Sequence, residues 1–155
     1  MLKSVRTEMD FDRTRSIEQL EGMSWGEPEY DSHLVIRCHA LRKKALNEFN
    51  VEDLRIMIGQ NLGLDHLVPL GRETLESNIL AEGDLYEGDL LKSMLTIHPE
   101  FWIADPELRT TLCELFEANE KDLSEYETTD EIREGWFQAY GRMKEEGQGM
   151  EQRFW

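Results

Sequence analysis

Asn50–Leu70, NVEDLRIMIGQNLGLDHLVPL, is the stretch from which the fold is read. In a chain that is 32% charged, it gathers Val51, Leu54, Ile56, Met57, Ile58, Leu62, Leu64, Leu67, Val68 and Leu70 into one short window. Asn50 is placed to cap a helix, because its side-chain oxygen accepts from the free amides of the first turn. Asp53, three residues on, puts negative charge where the helix dipole favours it. Beyond Ile56, apolar residues fall on nearly every side, the pattern of a helix buried by its neighbours. Gly59 and Gly63 let the chain leave this helix and turn back, and Pro69 suits the first turn of the next one. The segment is the expected hub of a core.

Upstream of the hub, residues 1–15 are polar and mixed in charge, with Val5, Met9 and Phe11 at alternating positions. They read as an extended arm or a short strand. Ser16 and Gln19 form a capping box for a short helix that Gly22 ends. Trp25-Gly-Glu-Pro28 is a loop, with Trp25 read as a lid on the core. Asp31 or Ser32 caps a helix whose inward face is Leu34, Cys38, Leu41 and Ala45, with Arg42, Lys43 and Lys44 in its last turn.

Downstream, GRETLESN is the exposed half of a helix closing near Asn78, and AEGDLYEGDL is a loop rich in glycine and acid. Leu90, Leu91, Met94, Leu95 and Ile97 make a further helix, halted by Pro99. Asp105-Pro106-Glu107 starts another, with Leu108, Leu112, Leu115 and Phe116 facing inward. Thr128 or Thr129 opens the last helix, marked by Ile132, Trp136, Tyr140 and Met143. The tail, residues 144–155, is expected to fray, with Phe154 and Trp155 free to dock back. The expected architecture is all-α: one compact helical bundle, residues 1–155 as a single domain, with an extended N-terminal arm.

The totals narrow the function. A 155-residue chain fits one core. Its formal net charge of −16 argues against direct nucleic-acid binding, which needs excess Lys and Arg, and against an anionic membrane surface. No run reaches the length of a membrane span, and MLKSVRTEMDFDRTR lacks the apolar region of a secretory signal, so the expected location is the cytoplasm. Cys38 and Cys113 sit on apolar helical stripes, which favours buried free thiols in a reducing compartment over a disulfide between them.

Catalytic patterns are missing. Cys38 and His39 are about a hundred degrees apart on a helix, and His33 shares no close face with them, so no metal site is expected. Glu82–Asp89 has the flavour of a calcium loop but lacks the alternating ligands and terminal glutamate. No nucleophile elbow, phosphate-cradling loop or cofactor signature is present, and neither an enzyme nor a cofactor is expected. What remains is charge. Between Glu73 and Glu134 there are 18 acids against Lys92, Arg109, Lys121 and Arg133, while the preceding part is nearly balanced. Such a concentration either solvates several helix faces or meets a basic partner.

The ordered segments RTEMDFDRTRSIEQLEG, WGEP, SHLVIRCHALRKKAL, FNVEDLRIMIGQNLGLDHLVPL and LAEGDLYEGDLL cover roughly residues 6–102. This series resembles the immunity proteins of bacterial contact-dependent growth inhibition (CDI) systems. Ala45, Gly71, Ile79 and Glu87 depart from the pattern expected there. The resemblance implies a small cytoplasmic protein, itself no enzyme, that neutralises the C-terminal toxin domain delivered by a neighbouring cell, in a 1:1 heterodimer. The toxin it implies is a nuclease of ribonuclease type. Acidic side chains would then occlude a cationic active site. The expected contact residues are Glu82, Asp84, Tyr86, Glu87 and Asp89 on the glycine-framed loop, where the acids should be exposed. Glu114, Glu117, Glu120 and Asp122 form the second group. The competing reading is an acidic helical adaptor or antirepressor-type module for another basic protein.

Overall fold

The cap on the hub helix forms as its sequence predicts, and more is built on it. In a computed structural model describing residues 11–29 and 31–153, with side chains followed to Glu146, Asn50 Oδ1 accepts from the Asp53 amide at 2.9 Å. Asp53 Oδ2 accepts from the Asn50 amide at 3.1 Å, closing a capping box at the start of α3 (Val51–Gly59). The Asp53 side chain is wholly buried, and a buried carboxylate must be paired. It takes Arg37 Nη2 from α2 (His33–Arg42) and Lys44 Nζ from the following loop, each at 2.7 Å. The N-terminus of α3 is thereby the knot that ties the first half of the chain together.

The remaining described elements are α1 (Ile17–Glu21), a 3-10 turn at Leu46–Glu48, α4 (Leu64–Ser77), α5 (Asp89–Leu95), α6 (Pro99–Ala104), α7 (Pro106–Ala118), α8 (Glu120–Glu125) and α9 (Asp130–Arg153). No strand occurs among the described residues, and the architecture is all-α. Leu54, Met57 and Ile58 of α3 face Leu67, Val68 and Leu75 of α4 and Leu90, Leu91, Met94 and Leu95 of α5 in one continuous buried cluster. α5 packs on α3, α4 and α9, and α9 in turn on α6. Trp136, Ala139 and Met143 point inward from α9, and Phe116 of α7 stacks on Tyr140 with centroids 4.1 Å apart. Gly71, where a better helix former is expected, has a structural reason. A Cβ there would lie 2.9 Å from Met94 Sδ, so glycine sets how closely α4 approaches α5.

Several expectations change. α4 begins at Leu64, because Gly63 adopts the left-handed conformation (φ +61°) that turns the chain at once. Pro69 therefore lies inside the helix rather than in its first turn; burial of Leu64, Leu67 and Val68 outweighs the donor it removes. α2 stops at Arg42, so Ala45 falls outside it, and Leu34 is exposed; Cys38 and Leu41 carry its inward face. Trp25 is not a lid on the apolar core. It lies over the guanidinium of buried Arg42, 4.4 Å from ring centroid to Cζ, and Arg42 also donates to Glu21 and to the Met23 carbonyl.

The backbone of α9 is helical from Asp130 to Arg153. Phe154 and Trp155 lie outside the described residues, as do Val5 and Met9 of the arm. Phe11 meets His66 edge-on at 5.1 Å, and residues 13–16 run beside 45–47 through Leu46 N to Arg15 O (3.0 Å) and Asn47 N to Arg13 O (2.8 Å). Cys38 and Cys113 are free thiols, and burial pushes both pKa values up.

Burial alone would raise the pKa of Asp53, but Lys44, Arg37 and the Asn50 amide together hold it below the ordinary carboxylate value. Its folded-state pKa is thus lower than its unfolded one, and its stabilisation is complete at neutral pH and drains as pH falls below about 4. Asp53→Asn is expected to cost about 2 kcal/mol at pH 7, roughly 4–8 °C in Tm, by weakening the charge-assisted hydrogen bonds from Arg37 and Lys44, which remain partly solvated. Thermal melts from pH 7 to pH 3 check this: the gap between the two proteins should narrow on acidification. A constant gap contradicts it.

Candidate functional site

The acidic loop between α4 and α5 is built from the inside. Asp89, at the first turn of α5, is buried, and its carboxylate points back into the loop. Asp89 Oδ1 accepts from the Gly83 amide at 2.7 Å, and Oδ2 accepts from the Leu85 and Tyr86 amides at 3.0 and 3.3 Å. Arg55 Nε stands 3.7 Å from the same oxygen. Glu52, on α3, takes the Asp84 amide at 2.7 Å and forms a two-pronged pair with Arg55 at 2.7 and 2.5 Å. That pairing holds the Glu52 carboxyl below its ordinary pKa. Four consecutive or near-consecutive loop amides are thus collected by two carboxylates anchored in helices.

The far end of the loop is equally fixed. Glu82 and Glu87 pair across it in an isolated antiparallel bridge, and the Gly88 amide donates to Leu80 O at 3.2 Å. Trp136 Nε1 donates to Gly88 O at 3.1 Å from the core of α9. Gly88 has φ +91°, and a Cβ there would run into the Trp136 ring, so glycine is required on both counts. Tyr126, just after α8, donates its hydroxyl to Glu87. With its backbone drawn inward, the loop turns its remaining side chains out.

Glu82, Asp84 and Glu87 are exposed, as expected from the sequence, together with Leu85 at the tip, which is 62% exposed. Tyr86 is half-buried, and burial, reinforced by Asp89, raises its pKa. Asp89 corrects the expectation that all the loop acids are exposed: the backbone amides that need an acceptor pull it inside. The second group divides between two helices. Glu114 and Glu117 are exposed on α7, and Glu120 and Asp122 are exposed on α8. Glu117 accepts from the Tyr140 hydroxyl and from Lys144, which hold it below the ordinary carboxylate range. A described link from the α8 side to the loop is Tyr126, through Glu87.

Reading the sequence missed Glu52, Arg55 and Tyr126, which shape the loop without belonging to it. Glu52 and Arg55 carried one signal, their spacing of three on a helix. Their reach to a loop 32 residues away did not show.

Residues 19–112 match the family model of CDI immunity proteins, more than half of the chain. The matched region contains the whole 82–89 loop and ends on α7 before Glu114. No curated protein and no solved structure gives a match.

Asp89→Ala would leave three loop amides without their acceptor. Each abandoned donor costs about 1–3 kcal/mol when buried, less where water reaches it, so a loss of roughly 2–4 kcal/mol is expected. Amide hydrogen exchange at Gly83, Leu85 and Tyr86 should accelerate well beyond the change at α7. Unchanged protection of these three amides would show that the loop is held by something else.

Proposed function

The chain belongs to the family of CDI immunity proteins, and from that premise we propose that it neutralises its cognate toxin by laying fixed carboxylates into a cationic, nuclease-type cleft. The family assigns a toxin-neutralising role. The proposal adds how it is done. Glu82, Asp84 and Glu87, with Tyr86 beside them, take the places that phosphates occupy when the toxin holds its substrate, in our reading an RNA. Glu114, Glu117, Glu120 and Asp122 extend the acidic surface, and Asp89 acts from inside by holding the loop in shape. The complex is a 1:1 heterodimer formed in the cytoplasm, and the immunity protein contributes no reaction of its own.

The observation that carries this reading is the fixing of the acidic loop by Asp89 and Glu52. Exposed acids on a mobile loop lose much of their attraction to the entropy of ordering; acids on a loop whose amides are already satisfied do not. Charge-assisted hydrogen bonds to arginine and lysine are the strong ones, and a net charge of −16 speeds encounter with a cationic surface. Speed matters to an immunity protein, because toxin left free damages the cell before capture. Among the described residues no helix is long and apolar enough to cross a membrane.

The test is calorimetry with the purified cognate toxin domain, with association and dissociation rates followed by stopped-flow fluorescence. Raising the salt from about 0.05 M to about 0.5 M should weaken the complex at least about tenfold and slow association more than it speeds dissociation. Reversing Glu82, Asp84 and Glu87 to lysine should cost about a hundredfold or more in affinity and abolish growth rescue. An affinity indifferent to salt and to these reversals contradicts acidic occlusion while leaving the family role intact.

A further inference from the structure

Of the five large apolar side chains exposed among the described residues, four fall between Met23 and Ile36: Met23, Trp25, Leu34 and Ile36. They do not form one patch: Leu34 and Ile36 border a hollow with His33, Arg37, Ala40 and Ile56, and Trp25 lines a separate one. A hollow of about 410 Å³ opens between the loop and α2, lined by Trp25, Val35 and His39 with Glu27 and Glu29. Both glutamates are exposed, and neither has a hydrogen bond or ion pair among the described residues. Of the other acids in this part of the chain, Glu21 pairs with Arg42, Asp53 with Arg37 and Lys44, and Glu52 with Arg55, while Glu18, Asp31 and Glu48 share with Glu27 and Glu29 the lack of an ion pair among the described residues.

The ring in this hollow already holds one cation. Trp25 stacks on the Arg42 guanidinium and meets His39 edge-on at 4.9 Å, while His39 Nδ1 lies 3.3 Å from Gly26 O, which fixes the loop beside the ring. What the hollow offers is therefore an aromatic wall held in place, an aliphatic side chain at Val35 and two carboxylates without partners among the described residues. A planar cation with an apolar stem matches all three: the stem packs on Val35 and Trp25, and the fork reaches Glu27 and Glu29. Lysine fits less well, since its compact ammonium neither stacks flat nor spans two carboxylates.

We propose that this hollow is a docking pocket for an arginine side chain of the toxin domain, a second grip separate from the 82–88 loop. The inference rests on the reading that the partner is a cationic toxin. Charge complementarity selects this occupant: the partner must be rich in arginine and lysine to meet the acidic loop, and the hollow takes the same chemistry at another point of the surface. Two separated grips also fix orientation, which one charged loop cannot do.

The experiment uses the full chain and its cognate toxin domain, with affinity read by calorimetry. Exposed Glu27 and Glu29 are changed together to lysine, which leaves the Arg42 cluster untouched. The double variant should bind about 10–100-fold more weakly with an unchanged melting temperature. Trp25→Phe, which keeps a ring, should stay within about threefold of the parent, while Trp25→Ala should fall about tenfold or more. A Glu27→Lys/Glu29→Lys protein that binds as tightly as the parent overturns the pocket alone. If the parent itself fails to bind the toxin, both this inference and the reading beneath it fall. If the double variant keeps its toxin affinity but turns a dimer into a monomer by light scattering, the occupant is a second copy of this chain and the inference is overturned.

Discussion

A carboxylate taken out of water must find donors, and in this protein that requirement shapes the surface as much as the interior. Asp89 is buried at the root of α5, and the donors it finds are the amides of the loop that precedes it. Because those amides turn inward, the side chains of Glu82, Asp84 and Glu87 turn outward. Asp53 works by the same rule at the start of α3, where its donors are Arg37 and Lys44 together with the Asn50 amide. One buried acid organises the first half of the molecule, and the other sets the shape of its acidic face. Glu52 and Arg55, one turn apart on α3, connect the two.

The exposed charge is then a load that the fold carries. Eighteen acids against four cations between Glu73 and Glu134 leave an excess of carboxylates that repel one another in any compact state. Local relief reaches only some of them: Arg13 pairs with Glu73, Arg72 with Glu76, Arg55 approaches Asp89, Arg133 reaches Asp130 and the carbonyls of Tyr126 and Thr128, and Lys144 reaches Glu117 from α9. The Tyr126 and Tyr140 hydroxyls hold Glu87 and Glu117 without neutralising them. Carboxylates fixed in position, short of counter-charge and backed by a rigid core gain most when a cationic surface arrives. Membership of the CDI immunity family implies a cognate toxin as partner, and the proposal seats that toxin on this face.

Local signals made much of this legible. The Asn50 and Asp105 caps, the Ser16–Gln19 box, the Gly22 stop and the inward stripe of α7 each depend on residues within four positions of one another, and each formed. The loop between α4 and α5 was equally plain from its glycines. The failures concern contacts that span the chain. Nothing near Asp89 says that it will face inward, because its donors become convergent only when Glu52 and Trp136 hold the two ends of the loop. The apolar ring of Trp25 suggests a lid on the core, yet a buried arginine contributed by α2 decides its place. The usual preference of proline puts Pro69 at a helix start, and a left-handed glycine six residues earlier overrules it.

The central claim is that the acidic face fills the space in which the toxin holds its substrate. Competition measures this directly: a non-cleavable oligonucleotide bound to the toxin domain is followed by fluorescence anisotropy as the immunity protein is added. The account predicts displacement of the oligonucleotide with one equivalent of protein and no ternary complex. An anisotropy that stays high or rises, with toxin, oligonucleotide and immunity protein migrating together, would contradict it.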